Sequence, residues 1–242
     1  MTHSSLSRIN TTNAALTVAF AAVVVMNVAI APAQDPQMLD KLMAIKSAQD
    51  ANKAKLAQYT WQETETIAIK GDVKDTKVYQ VQIGPNGQPQ KTEVSNQQAQ
   101  PSGRQGRLKQ HVEAHAKEEY QEYGQSISAL AKQYTTPDPD RLMQAKQQGN
   151  ISLQPAGGGS LSLIIKNYVK PGDSVTLTVD GQTKQPISVR VSSYLNDPKD
   201  AVTIAAQFGQ LPDGTNHVAN TQVDGVSKHL TVNDQNSNYQ KL

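Results

Sequence analysis

Between Leu161 and Val232 apolar side chains fall on alternate positions in four successive sets, and few folds can accommodate such a pattern. Leu161, Leu163 and Ile165, then Val175, Leu177 and Val179, then Ile187, Val189 and Val191, then Val202, Ile204, Ala206 and Phe208 each line one face of a pleated strand. Pro171-Gly172-Asp173, Asp180-Gly181, Asn196-Asp197-Pro198, Pro212-Asp213-Gly214 and Asp224-Gly225 separate the sets with residues suited to tight reversals. The spacing predicts an antiparallel meander whose apolar side needs a cover.

Two kinds of element upstream can supply it. Asp35-Pro36 offers an N-cap and a proline at the first helical position, and Leu39, Leu42, Met43, Ile45 and Leu56 recur at helical spacing, so a first helix should end before Tyr59. The run from Tyr59 to Lys70 is dense in Thr, Ile and aromatics and reads as a strand closed by Gly71-Asp72. A second strand, about Lys74 to Ile83, turns at Pro85-Asn86-Gly87 into a third, Gln88 to Val94. Ser95 to Gly103 lacks periodicity and is expected to be a mobile loop.

From Arg104 to Tyr134 the period lengthens to nearly four, and Leu108, Val112, Ala116, Tyr120, Tyr123, Ile127, Leu130 and Tyr134 form one stripe of a long helix. Pro137-Asp138-Pro139-Asp140 stops it and caps a shorter helix bearing Leu142 and Met143. Strand character resumes at Asn150 to Leu153, and Gly157-Gly158-Gly159 reads as a flexible joint.

Residues 1–33 read as an address rather than structure: a polar start with Arg8, an apolar run from Ala14 to Ile30, and Ala31-Pro32-Ala33 as an A-x-A cleavage site. The alternative is an uncleaved anchor, for which the run is short and Ala-rich. An exported chain from Gln34, periplasmic or secreted and with no stable membrane span after cleavage, is the expectation, and residues 34–242 should form a single domain with a helical insert at about 104–148. Without the first 33 residues the chain has 22 basic and 21 acidic side chains, so no charged field points to nucleic acid. The absence of cysteine excludes disulfides, thiolate metal sites and a cysteine nucleophile.

No motif spells out a reaction. His111 and His115 share a helix face at i and i+4, but the glutamate follows the first histidine by two residues, unlike the zinc-protease arrangement, and a helix flank is the simpler account. Gly172-Asp173-Ser174 runs on into strand residues and is a turn rather than a nucleophile elbow. Glu63 and Glu65 share a strand face with Tyr59, Trp61, Ile67 and Ile69; two carboxylates could act as acid and base, but Lys74 and Lys77 lie within cross-strand reach and predict an ordinary, half-exposed, salt-paired face. No catalytic residue, cofactor site or metal site is assigned. The residues expected to meet any hydrophobic ligand are Tyr59, Trp61, Tyr120, Tyr123, Ile127 and Leu130, of which the helical four also fit plain helix-on-sheet packing.

An exported chain with an N-terminal helix leading into Tyr59-Thr60-Trp61, early hairpins, helices in mid-chain and a terminal meander resembles the LolA/LolB/RseB-like superfamily. The resemblance covers most of residues 34–242. It implies an α+β fold in which one curved antiparallel sheet, an incomplete barrel, is covered by an N-terminal helix and the mid-chain helices. It also implies shelter for a lipid, an acylated segment or another hydrophobic ligand, with a lipid or a lipidated or other envelope protein as partner. Lipid-carrying members usually have concave surfaces rich in aromatics and Met, whereas outside residues 1–33 this chain has one Phe, Phe208, and one Trp, Trp61. Two other readings are a structural or protein-interaction module of the envelope with no internal ligand, and a secreted hydrolase built on Glu63 and Glu65 or on His111 and His115.

Overall fold

The computed structural model describes residues 36–98, 107–135 and 138–242. The expected leader, residues 1–33, and its cleavage site lie outside the described residues, as do the side chains of His111 and His115.

Ten strands make one open antiparallel sheet. Helix α1 (Pro36–Leu56) precedes β1 (Tyr59–Ile69), β2 (Asp72–Ile83) and β3 (Pro89–Gln98); α2 (Arg107–Thr135) and α3 (Pro139–Gln147) follow. The chain then runs through β4 (Ile151–Pro155), β5 (Ser160–Lys166), β6 (Ser174–Asp180), β7 (Pro186–Tyr194), β8 (Ala201–Gln210), β9 (Asn216–Gly225) and β10 (Leu230–Lys241). The strand order is β3-β2-β1-β10-β9-β8-β7-β6-β5-β4, so the last strand zips against the first and the sequence-adjacent β3 and β4 occupy opposite edges. The connection between those edges has to cross the whole sheet, and it does so as α2 and α3, which fill the concave side.

The registers explain where the core lies. One row of cross-strand partners runs Ile67, Val232, Val223, Ile204, Val191, Val175, Ile165, Ile151, from β1 to β4, and is apolar throughout. The row two residues away runs Lys77, Glu65, Asp234, Thr221, Ala206, Val189, Leu177, Leu163 and changes from charged to apolar between β9 and β8. The apolar part of the sheet forms a single cluster with Ile45 of α1, Tyr123, Ile127, Leu130, Ala131 and Tyr134 of α2, and Leu142 and Ala145 of α3. A second, smaller cluster of Trp61, Tyr79 and Val81, with Ile83 and Tyr239 against it, lies on β1, β2 and β10. The charged belt separates the two.

Local chemistry sets the element ends. Asp138 caps α3, accepting from the backbone N–H groups of Asp140 (3.0 Å) and Arg141 (3.3 Å), with Pro139 at the first position. Asp173 ties the β5–β6 turn and α2 together: it accepts from the backbone N–H groups of Tyr168 (2.6 Å), Val169 (2.8 Å) and Lys170 (3.0 Å) and from the Tyr134 hydroxyl (2.6 Å). The Gly172-Asp173-Ser174 triplet is thus a turn, as its strand-like sequel predicts.

Three expectations need correction. Ser95 to Gln98 continue β3, because Lys77 and Asp75 at the start of β2 offer unpaired ladder positions to Asn96 and Gln98; the rest of the expected loop lies outside the described residues. The glycines 157–159 are the tight β4–β5 turn, each at positive φ, and a Cβ on Gly181 would stand 1.9 Å from the Gly159 carbonyl oxygen, so this is close packing rather than a loose joint. Ile187 does not join Val189 and Val191 inside, because a bulge in β7 pairs Pro186 with Val179 and turns Ile187 outward.

Candidate functional site

The concave face is not filled evenly. Under the C-terminal half of α1 a cavity of about 110 Å³ remains, bounded by Gln49, Asn52, Lys53 and Leu56 above and by Trp61, Glu63, Ile83, Lys91, Phe208, Val218, Thr221, Asp234, Asn236 and Tyr239 around and below. It exists because β9 and β10 carry Thr221 and Asp234 where the row towards β5 carries Ala206, Val189, Leu177 and Leu163, and α2 packs only over the latter.

The aromatic wall is rigidly built. Trp61 stacks on Tyr239 at 5.5 Å between ring centroids and 18° between planes, and the His217 ring lies tilted against the same tyrosine at 4.3 Å. The Trp61 indole N–H donates to Asn236 Oδ1 (3.0 Å), while Asn236 Nδ2 and the Tyr239 hydroxyl both donate to the Val218 carbonyl (3.1 Å each). Burial holds the His217 imidazole below its ordinary pKa, so the wall is neutral, and it raises the Tyr239 hydroxyl.

The roof is clamped from one point. Asn52 donates through Nδ2 to the Asn216 carbonyl (2.8 Å), and Asn216 N–H donates to Asn52 Oδ1 (2.7 Å), a pair of bonds that mimics a strand partner. Leu242 N–H donates to the Gln58 carbonyl just beyond the helix (2.8 Å). Lys53 crosses the β2–β3 turn, where Gly87 stands at φ 71°; a Cβ there would come within 2.9 Å of the Lys53 Nζ.

The floor is charged and buried. Glu63 is ion-paired with Lys91 of β3, Lys77 stands 3.6 Å from Asp75, and Glu63, Glu65, Lys77 and Asp234 are all less than 7% exposed. The expected half-exposed face is therefore corrected: these groups are enclosed by α1 and by the curl of β1–β3. Lys77 is within the expected cross-strand reach, as the register partner of Glu65, but Lys74 pairs instead with exposed Asp72 (3.3 Å), and the partner of Glu63 is Lys91 of β3. Neither carboxylate oxygen of Glu65 has a hydrogen-bond partner, nor has Asp234 Oδ1. Desolvation raises Glu65 from its ordinary 4.5 to about 7 despite Lys91 and Lys77, and raises Asp234 as well. On the roof, both amide atoms of Gln49 are buried without a partner.

Of the ligand-contacting residues expected from the sequence, Trp61 lines the cavity. Tyr59 is buried beside it, its hydroxyl donating to Asp213 Oδ2 (2.7 Å). Tyr123, Ile127 and Leu130 sit in the main core, where Ile127 and Tyr123 press on Gly225 and the Tyr123 hydroxyl donates to Asp200 Oδ1 (2.8 Å); Tyr120 is half-buried at the edge. No apolar run in the sequence points to Asp234, Asn236 and Tyr239, because the polar run after Val232 hides the strand. Spacing in twos from Leu230 through Val232 to Asp234 is the signal that finds the floor residue. Among the described residues no group of His, Cys, Asp and Glu is placed to hold a metal ion, and no helix is long and apolar enough to cross a membrane.

No protein-family model and no curated protein matches the chain. Among solved structures it is similar to a LolA superfamily protein from Nitrosomonas europaea, at 12% identity over 83% of this chain and 93% of that one, with a TM-score of 0.40. It is also similar to a DUF1329 family protein from Desulfovibrio piger ATCC 29098 (9% identity, 86% and 94% covered, TM-score 0.39). A third is a putative outer membrane lipoprotein-sorting protein domain from Vibrio parahaemolyticus (8%, 83% and 93%, 0.37). The first of these is named for the superfamily that the order of elements resembles.

Proposed function

We propose that the protein is a non-catalytic binding protein of the bacterial envelope that shelters a small hydrophobic group, such as part of an acyl chain, between α1 and the β1–β10 end of its sheet. The observation that carries this reading is the cavity itself, which is left open where the rest of the concave side is close-packed, and which presents Trp61, Leu56, Ile83, Phe208, Val218 and Tyr239 as an apolar wall. At about 110 Å³ it is in the range that takes a benzene-sized group and below the roughly 300 Å³ at which pockets for whole drug-sized ligands begin. A long acyl chain would enter by one end, with its remainder outside or under a displaced α1. The carboxylate Glu63 is engaged by Lys91, which suits a structural part better than an acid or base free to exchange protons with a substrate.

Trp61 is the one tryptophan of the chain, so its fluorescence reports on the cavity. Titration with hexanol should shift the emission saturably, and Leu56→Asp, which places a charge in the apolar wall, should abolish the shift while the circular dichroism of the fold persists. A flat titration with hexanol, cyclohexanol and octanoate alike would remove this reading.

The runner-up, a protein-interaction module, draws on the β3 edge, where Val94 is 56% exposed at a bulge and Val73 on β2 is 53% exposed. It needs no ligand inside, and the same flat titration would favour it.

A further inference from the structure

Resting on the reading of the cavity as a ligand site, the side chains that face it also say which class of small molecule suits it. A purely apolar guest would leave three polar atoms of two side chains stranded. Asp234 is 2% exposed, lines the cavity, and has no hydrogen-bond partner at Oδ1. Gln49, 6% exposed on the opposite wall, has none at either its amide oxygen or its amide nitrogen. Buried polar atoms are almost always paired, and each unpaired one carries a desolvation cost that a complementary ligand atom would relieve.

The unpaired carboxylate oxygen of Asp234 sets which sign of ligand atom the site favours. Two carboxylates, Glu63 and Asp234, line the cavity with Lys91, and the buried register partners Glu65 and Lys77 lie next to them in the belt, outside the lining. Lys91 is engaged by Glu63, and Lys77 lies beside Asp75 (3.6 Å) and opposite Glu65. Asp234 itself faces Glu65 across the ladder and is left without a cation of its own. Lys53, the other cationic residue of the cavity wall, stays at the rim over Gly87. An anionic head would meet Asp234 and Glu63, whereas a cationic one would complete the belt. The stacked Trp61 and Tyr239 offer ring faces beside it, which also favour a cation or an aromatic body.

We infer that the cavity takes a small amphiphilic amine, its apolar or aromatic body against Trp61 and Tyr239 and its ammonium donating to Asp234 from below and to the Gln49 side-chain oxygen from above. An ammonium carries three N–H groups, and Asp234 Oδ1 and the Gln49 side-chain oxygen both accept; the Gln49 amide nitrogen, itself a donor, is not served by it. The chemistry is shared by free amines and by the amine of a lipid headgroup.

A neutral, a cationic and an anionic ligand of one shape decide the matter. Benzylamine, benzyl alcohol and benzoate are titrated into the whole protein at pH 8, with Trp61 fluorescence and calorimetry as readouts. Benzylamine should bind about tenfold or more tighter than benzyl alcohol, the advantage expected of a charge-assisted hydrogen bond in a buried site, and benzoate weakest. Asp234→Asn, which keeps the shape of the side chain, should bring benzylamine to within about twofold of the alcohol and leave the alcohol unchanged. Equal or weaker binding of the amine in the unaltered protein overturns the inference while the cavity reading stands, and needs no variant to fold. Binding of none of the three overturns both. Dihexanoyl phosphatidylethanolamine as a fourth ligand separates the sources: binding that depends on Asp234 assigns the amine to a headgroup, and failure to bind assigns it to a free amine.

Discussion

Asp234 on β10 stands directly opposite Glu65 on β1 in the antiparallel ladder, so two buried carboxylates are register partners at the junction of the chain's first and last strands. Like charges so placed repel, and neither is compensated by a hydrogen bond to the oxygens named above. The contact lies in the seam that joins the first strand to the last, and there it sets two carboxylates against each other. Such a conflict between local chemistry and fold is expected where a binding site is built.

The pair predicts a stability that falls as pH rises. Glu65 has a folded-state pKa near 7 against an ordinary 4.5, so the unfolded chain gives up its proton first, and folding loses stability between about pH 4.5 and pH 7 by roughly 3 kcal/mol before any share from Asp234. The groups around it act in both directions, with Lys77 and Lys91 favouring ionisation and Glu63, Asp75 and Asp234 opposing it. Glu65→Gln should therefore melt several degrees above the unaltered protein at pH 8 and close to it at pH 5, in thermal scans followed by circular dichroism. Equal stabilisation at both values would contradict the linkage.

Gly225 on β9 is a point where α2 packs tightly on the sheet. A Cβ there would stand 2.4 Å from Ile127 Cδ1 and 2.7 Å from Tyr123 Cε1, both buried and unable to yield without displacing the helix. Gly225→Ala should cost about 1–3 kcal/mol, the usual penalty of overpacking, read as a lower midpoint in urea with an unchanged slope.

The clamp between Asn52 and Asn216 is the polar tie of α1 to the sheet beside the cavity. Asn52→Ala strands the Asn216 N–H and carbonyl and should cost about 1–3 kcal/mol locally, exposing α1 to faster amide exchange and Trp61 to stronger acrylamide quenching. Unchanged quenching would mean that α1 is held by its apolar contacts alone.

Asp173 gathers three backbone donors and a tyrosine hydroxyl at a turn under α2. Asp173→Ala leaves the three backbone N–H groups without their acceptor and the Tyr134 hydroxyl with Ser193 Oγ alone (2.8 Å), and should lower stability by roughly 3 kcal/mol or more, whereas Ser174→Ala next to it should be near neutral. Chemical denaturation of the two variants side by side checks this.

How far the sequence could lead is clear from particular residues. The four alternating sets from Leu161 to Phe208 mark β5 to β8 because one face of each strand is buried, and period two is what burial on one face produces, while the turns at Pro212-Asp213-Gly214 and Asp224-Gly225 bound β9. The stripe of Tyr123, Ile127, Leu130 and Tyr134 marked α2 for the same reason at a longer period. Asp234 is hidden because β10 beyond Val232 is polar and held in place by ladder pairing with β1; Lys91 lies in the expected third strand, but its meeting with Glu63 depends on the register of β3 on β2 and of β2 on β1, which no local pattern encodes. Bulges hide in the same way, since the one in β7 that turns Ile187 outward depends on its pairing with β6. The placement of the cavity under α1 rather than α2 follows from which rows of the sheet are apolar, and therefore from strand order, where β10 beside β1 is a long-range pairing that a linear reading does not reach.

The central claim, that the space under α1 holds a guest, is tested most directly by native mass spectrometry of the protein purified from a bacterial envelope without detergent. A non-covalent added mass that survives gentle ionisation, and that Leu56→Asp removes while the fold persists, is the predicted result. A clean apo mass that stays apo when hexanol, benzylamine and short-chain phospholipid are supplied in turn would contradict it.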